Sequence, residues 1–244
     1  MAETQRLKNK VAVVTGGSRG IGFAIAQTLA QHGCQVVIAG RNAKTLKAAA
    51  DALHKMKVEA VRCDITDPDQ VDNLFAAVRN NHSKIDILVN NAGIAHELAP
   101  VQKLSIAAWR SVIDTNLTGM FLCTRAALPL MHAGGTIVNN LSVAAIQPFE
   151  GMAAYNASKY GALGFTNVLR EELRQQGIRV LALMPGPTDT EIWEQFWPQA
   201  PRDKMVSVKT VAEAVLHVVT LPAGTTIEEV RLRPTVGSLR AENY

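Results

Sequence analysis

Short runs of aliphatic residues recur along the chain. Between them lie longer stretches in which apolar positions return every three or four residues. The runs at 11–14 (Val-Ala-Val-Val), 36–39, 60–63, 85–89, 136–141, 180–183 and 227–232 predict seven strands. They are nearly continuous in Val, Ile and Leu instead of alternating with polar residues, the pattern of strands covered on both faces in a parallel sheet. The stretches at 21–31, 43–56, 68–80, 106–131, 152–176 and 210–220 predict helices. Local signals agree: Gly33 and Gly177 follow two of the helices, and Asp67-Pro68 supplies an N-cap and a first-turn proline for a third. Strand–helix alternation of this kind predicts an α/β fold, a doubly wound parallel sheet of about seven strands with helices on both faces. No linker, repeat or low-complexity tract interrupts it, so residues 1–244 read as one domain. The least regular stretch is 186–208, too long for a plain connection and read as a flap.

Composition narrows the possibilities. Of the 244 residues, 48% are hydrophobic and 19% charged, which allows a large core and excludes global disorder. The formal charge is +4, but the basic residues are scattered, which argues against a nucleic-acid partner. Cys34, Cys63 and Cys123 are odd in number and far apart, so neither a disulfide framework nor a metal site is expected; they read as buried apolar groups. The histidines, His96 among them, lack metal-ligand spacing. Residues 1–10 are polar, without the apolar core of a signal peptide, and no apolar run reaches the ~20 residues needed to span a bilayer. A cytoplasmic protein without a membrane partner is expected.

Two segments carry candidate chemistry. Tyr155 and Lys159 stand four residues apart on a predicted helix, so their side chains share a face. A fixed ammonium beside a phenol favours the phenolate and lowers its pKa, which suits a tyrosine for proton exchange with a substrate oxygen. The second segment, Thr15-Gly16-Gly17-Ser18-Arg19-Gly20-Ile21-Gly22, follows the first strand and opens the first helix. Glycines there allow a tight turn and close approach of backbone N–H groups to a pyrophosphate, so dinucleotide binding is expected. After the second strand, where an acidic residue would bond a ribose 2′-hydroxyl, the chain has Gly40-Arg41. Arg41 and Arg19 offer two cations to a 2′-phosphate and favour NADP(H) over NAD(H). Asp64, after the third strand, could accept from an adenine amino group or cap a turn.

With these residues, the chain resembles the short-chain dehydrogenase/reductase family over essentially its full length. The resemblance rests on the glycine segment, Asn90-Asn91-Ala92-Gly93, Asn116, Ser142, Tyr155-x-x-x-Lys159 and Pro185-Gly186, all in order and each at a predicted strand end or helix. It implies a Rossmann fold and hydride transfer between NADP(H) and a carbonyl or secondary alcohol, with carbonyl reduction as the expected direction. It implies Tyr155 as general acid/base and Lys159 as the group that lowers its pKa and bonds the nicotinamide ribose. Ser142 would hold the substrate carbonyl, and Asn116, in a distorted helix, would connect Lys159 to a proton relay. Cofactor contacts are implied for Gly16, Ser18, Arg19, Gly20, Ile21, Gly22, Arg41, Asp64, Ile65, Asn90, Ala92, Gly93, Tyr155, Lys159, Pro185, Gly186, Thr188 and Thr190. The family's helices at 106–131 and 152–176 commonly pair, so a homo-oligomer is expected, a dimer or a tetramer, with Trp109 packing the first of them.

After the last predicted strand the chain lacks the Gly-Gly motif of many members and reads Arg231-Leu232-Arg233-Pro234-Thr235, followed by a short polar tail. That resembles members acting on small hydroxy acids more than 3-oxoacyl-carrier-protein reductases. Within the flap, Trp193, Phe196 and Trp197 fall on one side at helical spacing. They read either as packing on the core or a neighbouring subunit, or as an aromatic lid over an apolar substrate, with Phe149 and Met152 at the same mouth. A non-catalytic NADP(H)-binding sensor or scaffold is the alternative function, but such a protein is expected to lose the acid/base pair that this chain keeps.

Overall fold

The computed structural model describes residues 6–195, 197–222 and 224–237. Seven strands, β1 (Val11–Thr15), β2 (Gln35–Gly40), β3 (Val58–Arg62), β4 (Ile85–Asn90), β5 (Met131–Asn140), β6 (Arg179–Pro185) and β7 (Glu229–Leu232), form one sheet in the order β3-β2-β1-β4-β5-β6-β7. Every neighbouring pair is parallel. The order reverses between β1 and β4, which opens a crevice at the carboxyl ends of these strands. This is the doubly wound parallel sheet that the strand pattern predicts and the Rossmann arrangement that the resemblance implies.

Both faces of the sheet are covered. On one face, α1 (Gly20–Gln31), α7 (Val208–Val219) and the apolar residues of α2 (Ala43–Ala52) pack on Ala12, Val14, Val36 and Ile38. On the other, α3 (Pro68–His82), α5 (Gly119–Ala127) and α6 (Ala153–Arg174) pack on Val13, Val37, Leu88 and Ile137. Consecutive residues of β1 thus enter opposite cores, because strand side chains alternate between faces. That is the physical reason the central strands read as unbroken apolar runs. The edge strands β3 and β7 keep exposed positions, and there the pattern weakens.

The helix expected over 106–131 is not continuous. It comprises α4 (Ile106–Ile113), a π-helical turn (Asp114–Thr118) and α5, then a short 3₁₀ turn (Leu128–Leu130) that carries Pro129. β5 begins at Met131, five residues before the predicted start at 136. Trp109, expected to pack this helix, is 40% exposed. The fully buried Asn116 holds the π turn: its Oδ1 accepts from Ile94 N at 2.8 Å, and its Nδ2 donates to Ile94 O at 2.9 Å and Ser158 Oγ at 3.0 Å.

A polar seam crosses the otherwise apolar sheet near its carboxyl ends. Asn90 donates to Thr124 Oγ1 and Asn139 Oδ1, and Asn139 donates to Thr166 Oγ1, each at 2.9 Å. One residue further along the strands, Asn140 donates to Asn91 Oδ1 at 2.8 Å. These bonds tie β4 and β5 to each other and to α5 and α6, so the loops that leave the strands start from fixed points.

Candidate active site

The turn between β1 and α1 is built of backbone. Gly16 and Gly20 have φ of +63° and +53°, values that favour glycine, and a Cβ on Gly16 would stand 2.8 Å from Ala92 Cα. A Cβ on Gly22 would collide with the Gly16 carbonyl oxygen and Asn91 Nδ2. Thr15 Oγ1 accepts from Asn91 N at 3.0 Å and Ala92 N at 3.1 Å, locking the turn to the end of β4. Side chains of Asn42, Asp67, Ser105 and Ser207 cap α2, α3, α4 and α7, whereas α1 has neither a side-chain cap nor an acidic residue in its first turn. Its first N–H groups and positive dipole end are left to whatever occupies the crevice.

A cavity of about 1080 Å³ runs from this turn to the flap. At one end lie Ser18, Arg19, Gly20, Ile21 and Arg41, with Asn42 and Thr45 from the start of α2. Arg62 Nε donates to the Arg41 carbonyl at 3.2 Å and holds the backbone there. Asp64 and Ile65 line the same end, and Asp64 Oδ1 also caps its own turn, accepting from Thr66 N at 3.0 Å and Thr66 Oγ1 at 2.8 Å. Gly16, Ala92 and Gly93 form the middle, and Ser142, Tyr155 and Lys159 the far floor. Pro185, Gly186, Thr188 and Thr190 close that wall.

Three expected residues are not on the wall. Asn90 turns its side chain into the polar seam, because its strand position faces α5 instead of the crevice. Gly22 lies behind the turn, and Asn116 lies behind Gly93. A Cβ on Gly93 would sit 3.3 Å from Asn116 Oδ1 and 3.7 Å from Lys159 Nζ. Sequence reasoning missed Asn91 and Asn140, both on the wall. Their signal was the doubled asparagines at two strand ends, polar residues where a buried strand would continue apolar.

The far floor has defined electrostatics. Lys159 is 4% exposed; its Nζ donates to Asn140 O at 3.1 Å and stands 5.5 Å from the centre of the Tyr155 ring. Burial pushes its pKa down to about 8. Burial pushes the Tyr155 phenol up, opposed by a hydrogen bond with Ser142. This corrects the expectation of a phenol already lowered by Lys159: the ammonium is directed at a backbone carbonyl, and desolvation of the phenolate dominates. Ser142 Oγ accepts from Ala144 N at 3.1 Å, which fixes the oxygen and leaves its O–H to serve the Tyr155 oxygen.

The flap forms the mouth. Its ends are paired by Asp189 N to Val206 O at 3.0 Å and Val206 N to Pro187 O at 2.9 Å, and Arg202 ties Asp189 Oδ1 at 2.8 Å to the Thr190 carbonyl at 2.6 Å. A 3₁₀ turn (Glu191–Gln195) carries Trp193, whose Nε1 donates to Thr188 O at 2.9 Å. Trp193 and Trp197 meet edge to face, ring centres 6.1 Å apart, and line the mouth with Phe149 and Met152. Phe196 lies outside the described residues. Cys34, Cys63 and Cys123 are buried and free, and burial raises each thiol pKa. Among the described residues no cluster of His, Cys, Asp or Glu could hold a metal, and no helix is long and apolar enough to cross a membrane.

A sheet that reverses its strand order beside a glycine turn, with tyrosine, lysine and serine on the floor of the same crevice, defines a dinucleotide-dependent oxidoreductase. The chain belongs to the short-chain dehydrogenase family, whose model matches residues 10–201. It is 33% identical over 232 residues to an uncharacterized oxidoreductase of Staphylococcus aureus, covering 93% of this chain and 98% of that one. Among solved structures, it is similar to an alcohol dehydrogenase from the archaeon Thermococcus sibiricus complexed with 5-hydroxy-NADP. That match has a TM-score of 0.86 and 27% identity, over 95% of this chain and 99% of the other. It is also similar to a short chain dehydrogenase from Burkholderia cenocepacia in complex with NADP. Here the TM-score is 0.85 and the identity 32%, over 93% and 98% of the two chains. The protein is thus an enzyme, a dehydrogenase or reductase acting on an alcohol or carbonyl group and using a nicotinamide cofactor.

Proposed function

We propose that the protein is an NADPH-dependent carbonyl reductase with Tyr155 as its general acid. One observation carries the reading: Ser142, Tyr155 and Lys159 share a cavity with a glycine turn flanked by Arg19 and Arg41. The residues fit the cofactor, since the uncapped start of α1 and the glycine cradle suit a pyrophosphate and the two arginines suit a 2′-phosphate. The NADP complexes of the relatives point the same way. Cells keep NADP mostly reduced, which favours the reductive direction.

NADPH, held at the glycine turn and beside Arg19 and Arg41, would supply a hydride to a carbonyl carbon. Tyr155, held protonated at neutral pH by its raised pKa, gives its proton to the carbonyl oxygen as charge develops there. Ser142 donates a second hydrogen bond to that oxygen and holds it against Tyr155. Lys159 keeps a positive charge under the floor and stabilises the phenolate that remains, while Asn116 holds the backbone behind it. Residues 1–244 act as one unit, with the flap at 186–208 selecting an apolar ketone. Exposed Trp109, Phe121, Tyr160 and Val168 on α4, α5 and α6 suit self-association into a dimer or tetramer.

NADPH and NADH consumption, measured in parallel over a ketone panel, tests the reading. Tyr155→Phe should lower kcat by at least about 100-fold with NADPH affinity little changed. The wild-type rate of reduction should hold below pH 8, where Lys159 is charged, and fall as pH rises through about 8. Near-normal turnover in Tyr155→Phe, or a rate that climbs from pH 7 to 10, would remove Tyr155 as the acid. Binding without turnover across the panel would point to the sensor or scaffold instead.

A further inference from the structure

One arginine of the cavity wall has no task in the chemistry above. Arg233 follows β7 and lines the cavity with Ser142, Tyr155, Trp193 and Trp197. Gly186 N donates to Leu232 O at 2.7 Å, which holds the chain there against the end of β6. A Cβ on Gly186 would stand 3.5 Å from Arg233 Cγ, so the arginine stem lies across the strand end. Its Nη2 donates to Gln147 Oε1 at 3.0 Å. Gln147 is itself fixed by Asn156, the residue after Tyr155. Asn156 Nδ2 donates to the Gln147 carbonyl at 2.8 Å, and its Oδ1 accepts from Phe149 N at 3.1 Å. The guanidinium is thereby tied to the helix turn that carries Tyr155.

The partner of this cation is neutral. Arg174, Arg202 and Arg231 each meet a carboxylate, at 2.7, 2.8 and 2.7 Å. Arg233 has no ion pair among the described residues. Glu150 and Glu191 share the cavity wall but do not pair with it, and Glu191 reaches the glycine turn, its Oε2 3.6 Å from the place of a Gly20 Cβ. Gln147 gives its oxygen to Arg233, so its NH₂ group is left as a second donor on the wall. A guanidinium and an amide NH₂ side by side suit a carboxylate, which accepts from both. Trp193, Trp197, Phe149 and Met152 on the same wall suit an apolar chain. We propose that Arg233 and Gln147 bind a carboxylate of the substrate, so that the enzyme reduces oxo acids with an apolar chain. The inference rests on the reductase reading and narrows its apolar ketone to one with a negative end.

Steady-state kinetics with NADPH test it on straight-chain oxo acids, the carbonyl moved stepwise away from the carboxylate, each against its methyl ester. The wild type should favour the acid in kcat/KM at its preferred spacing. Arg233→Gln should cut that acid-to-ester ratio about tenfold, mainly through KM for the acid, a modest figure because the arginine is exposed to water. Gln147→Glu should do the same by pairing with Arg233, and it serves as the test should Arg233→Gln fail to fold. The Kd for NADPH, titrated by tryptophan fluorescence, should change less than about twofold in both variants. A wild type that reduces the esters better than every acid overturns the proposal and leaves the reductase reading intact. Equal losses for acid and ester, or a matching loss of NADPH affinity, would make Arg233 a structural residue and also overturn it. A wild type that reduces no ketone at all sinks the reductase reading and this inference with it.

Discussion

At the turn between β1 and α1 the walls of the cavity are backbone, whereas in the flap they are side chains. The turn admits no Cβ at Gly16 or Gly22, and its carbonyls are held by Asn91 from the next strand. The flap is joined by a few backbone bonds and by Arg202, and presents two indoles on an irregular path. Two kinds of specificity follow. A pyrophosphate is the same in every dinucleotide, so a rigid cradle of N–H groups can serve it. A substrate varies in shape and apolar area, and exchangeable side chains on a loop can follow it without disturbing the sheet.

Substitutions can break this contrast. The largest effect is expected for Gly22→Ala, whose methyl group has no room against Gly16 and Asn91. It should lose measurable dinucleotide binding and about 2–3 kcal/mol of stability, a fall in Tm of about 5–10 °C by calorimetry. A fully stable, cofactor-binding Gly22→Ala protein would mean the cradle is softer than its contacts suggest. Arg41→Ala comes next. It should cut the preference for NADPH over NADH by about 30-fold, read as the ratio of kcat/KM values, because it removes charge-assisted bonds and leaves the cradle intact. An equal loss for both cofactors would make Arg41 a structural residue. The smallest effect is expected for Trp193→Ala, which should raise KM for an apolar ketone about tenfold while the Kd for NADPH stays nearly constant. Parallel changes in the two constants would show that the indole supports the whole wall and not the mouth alone.

The same contrast explains what could be read from the chain before its structure. Parallel strands buried on two faces leave unbroken apolar runs, and a tight turn leaves glycines at fixed intervals, so the doubly wound parallel sheet and the glycine turn after its first strand were legible. The broken helix was not legible in the apolar pattern, which continues through Asp114–Thr118 at nearly helical spacing; only the family resemblance implied a distortion at Asn116, and the structure gives it as a π turn. Nor was the fate of the two asparagine pairs. Asn90 and Asn91 look alike in sequence, yet strand alternation sends the first into the seam and the second to the cavity. The state of Tyr155 was misjudged for a similar reason: a four-residue spacing gives a shared helix face, but not the carbonyl that draws Lys159 Nζ aside or the burial that lifts the phenol.

The π turn has a consequence for how this chain can change. It holds one residue more than the same length of α-helix needs, and that surplus rotates everything before it by about 100° relative to a regular helix. Removing any single residue there would let the segment relax into an unbroken α-helix and carry Asn116 away from Ile94. At this point the protein counts residues as strictly as it reads them: a substitution can be absorbed, while a one-residue deletion resets the phase of a whole element.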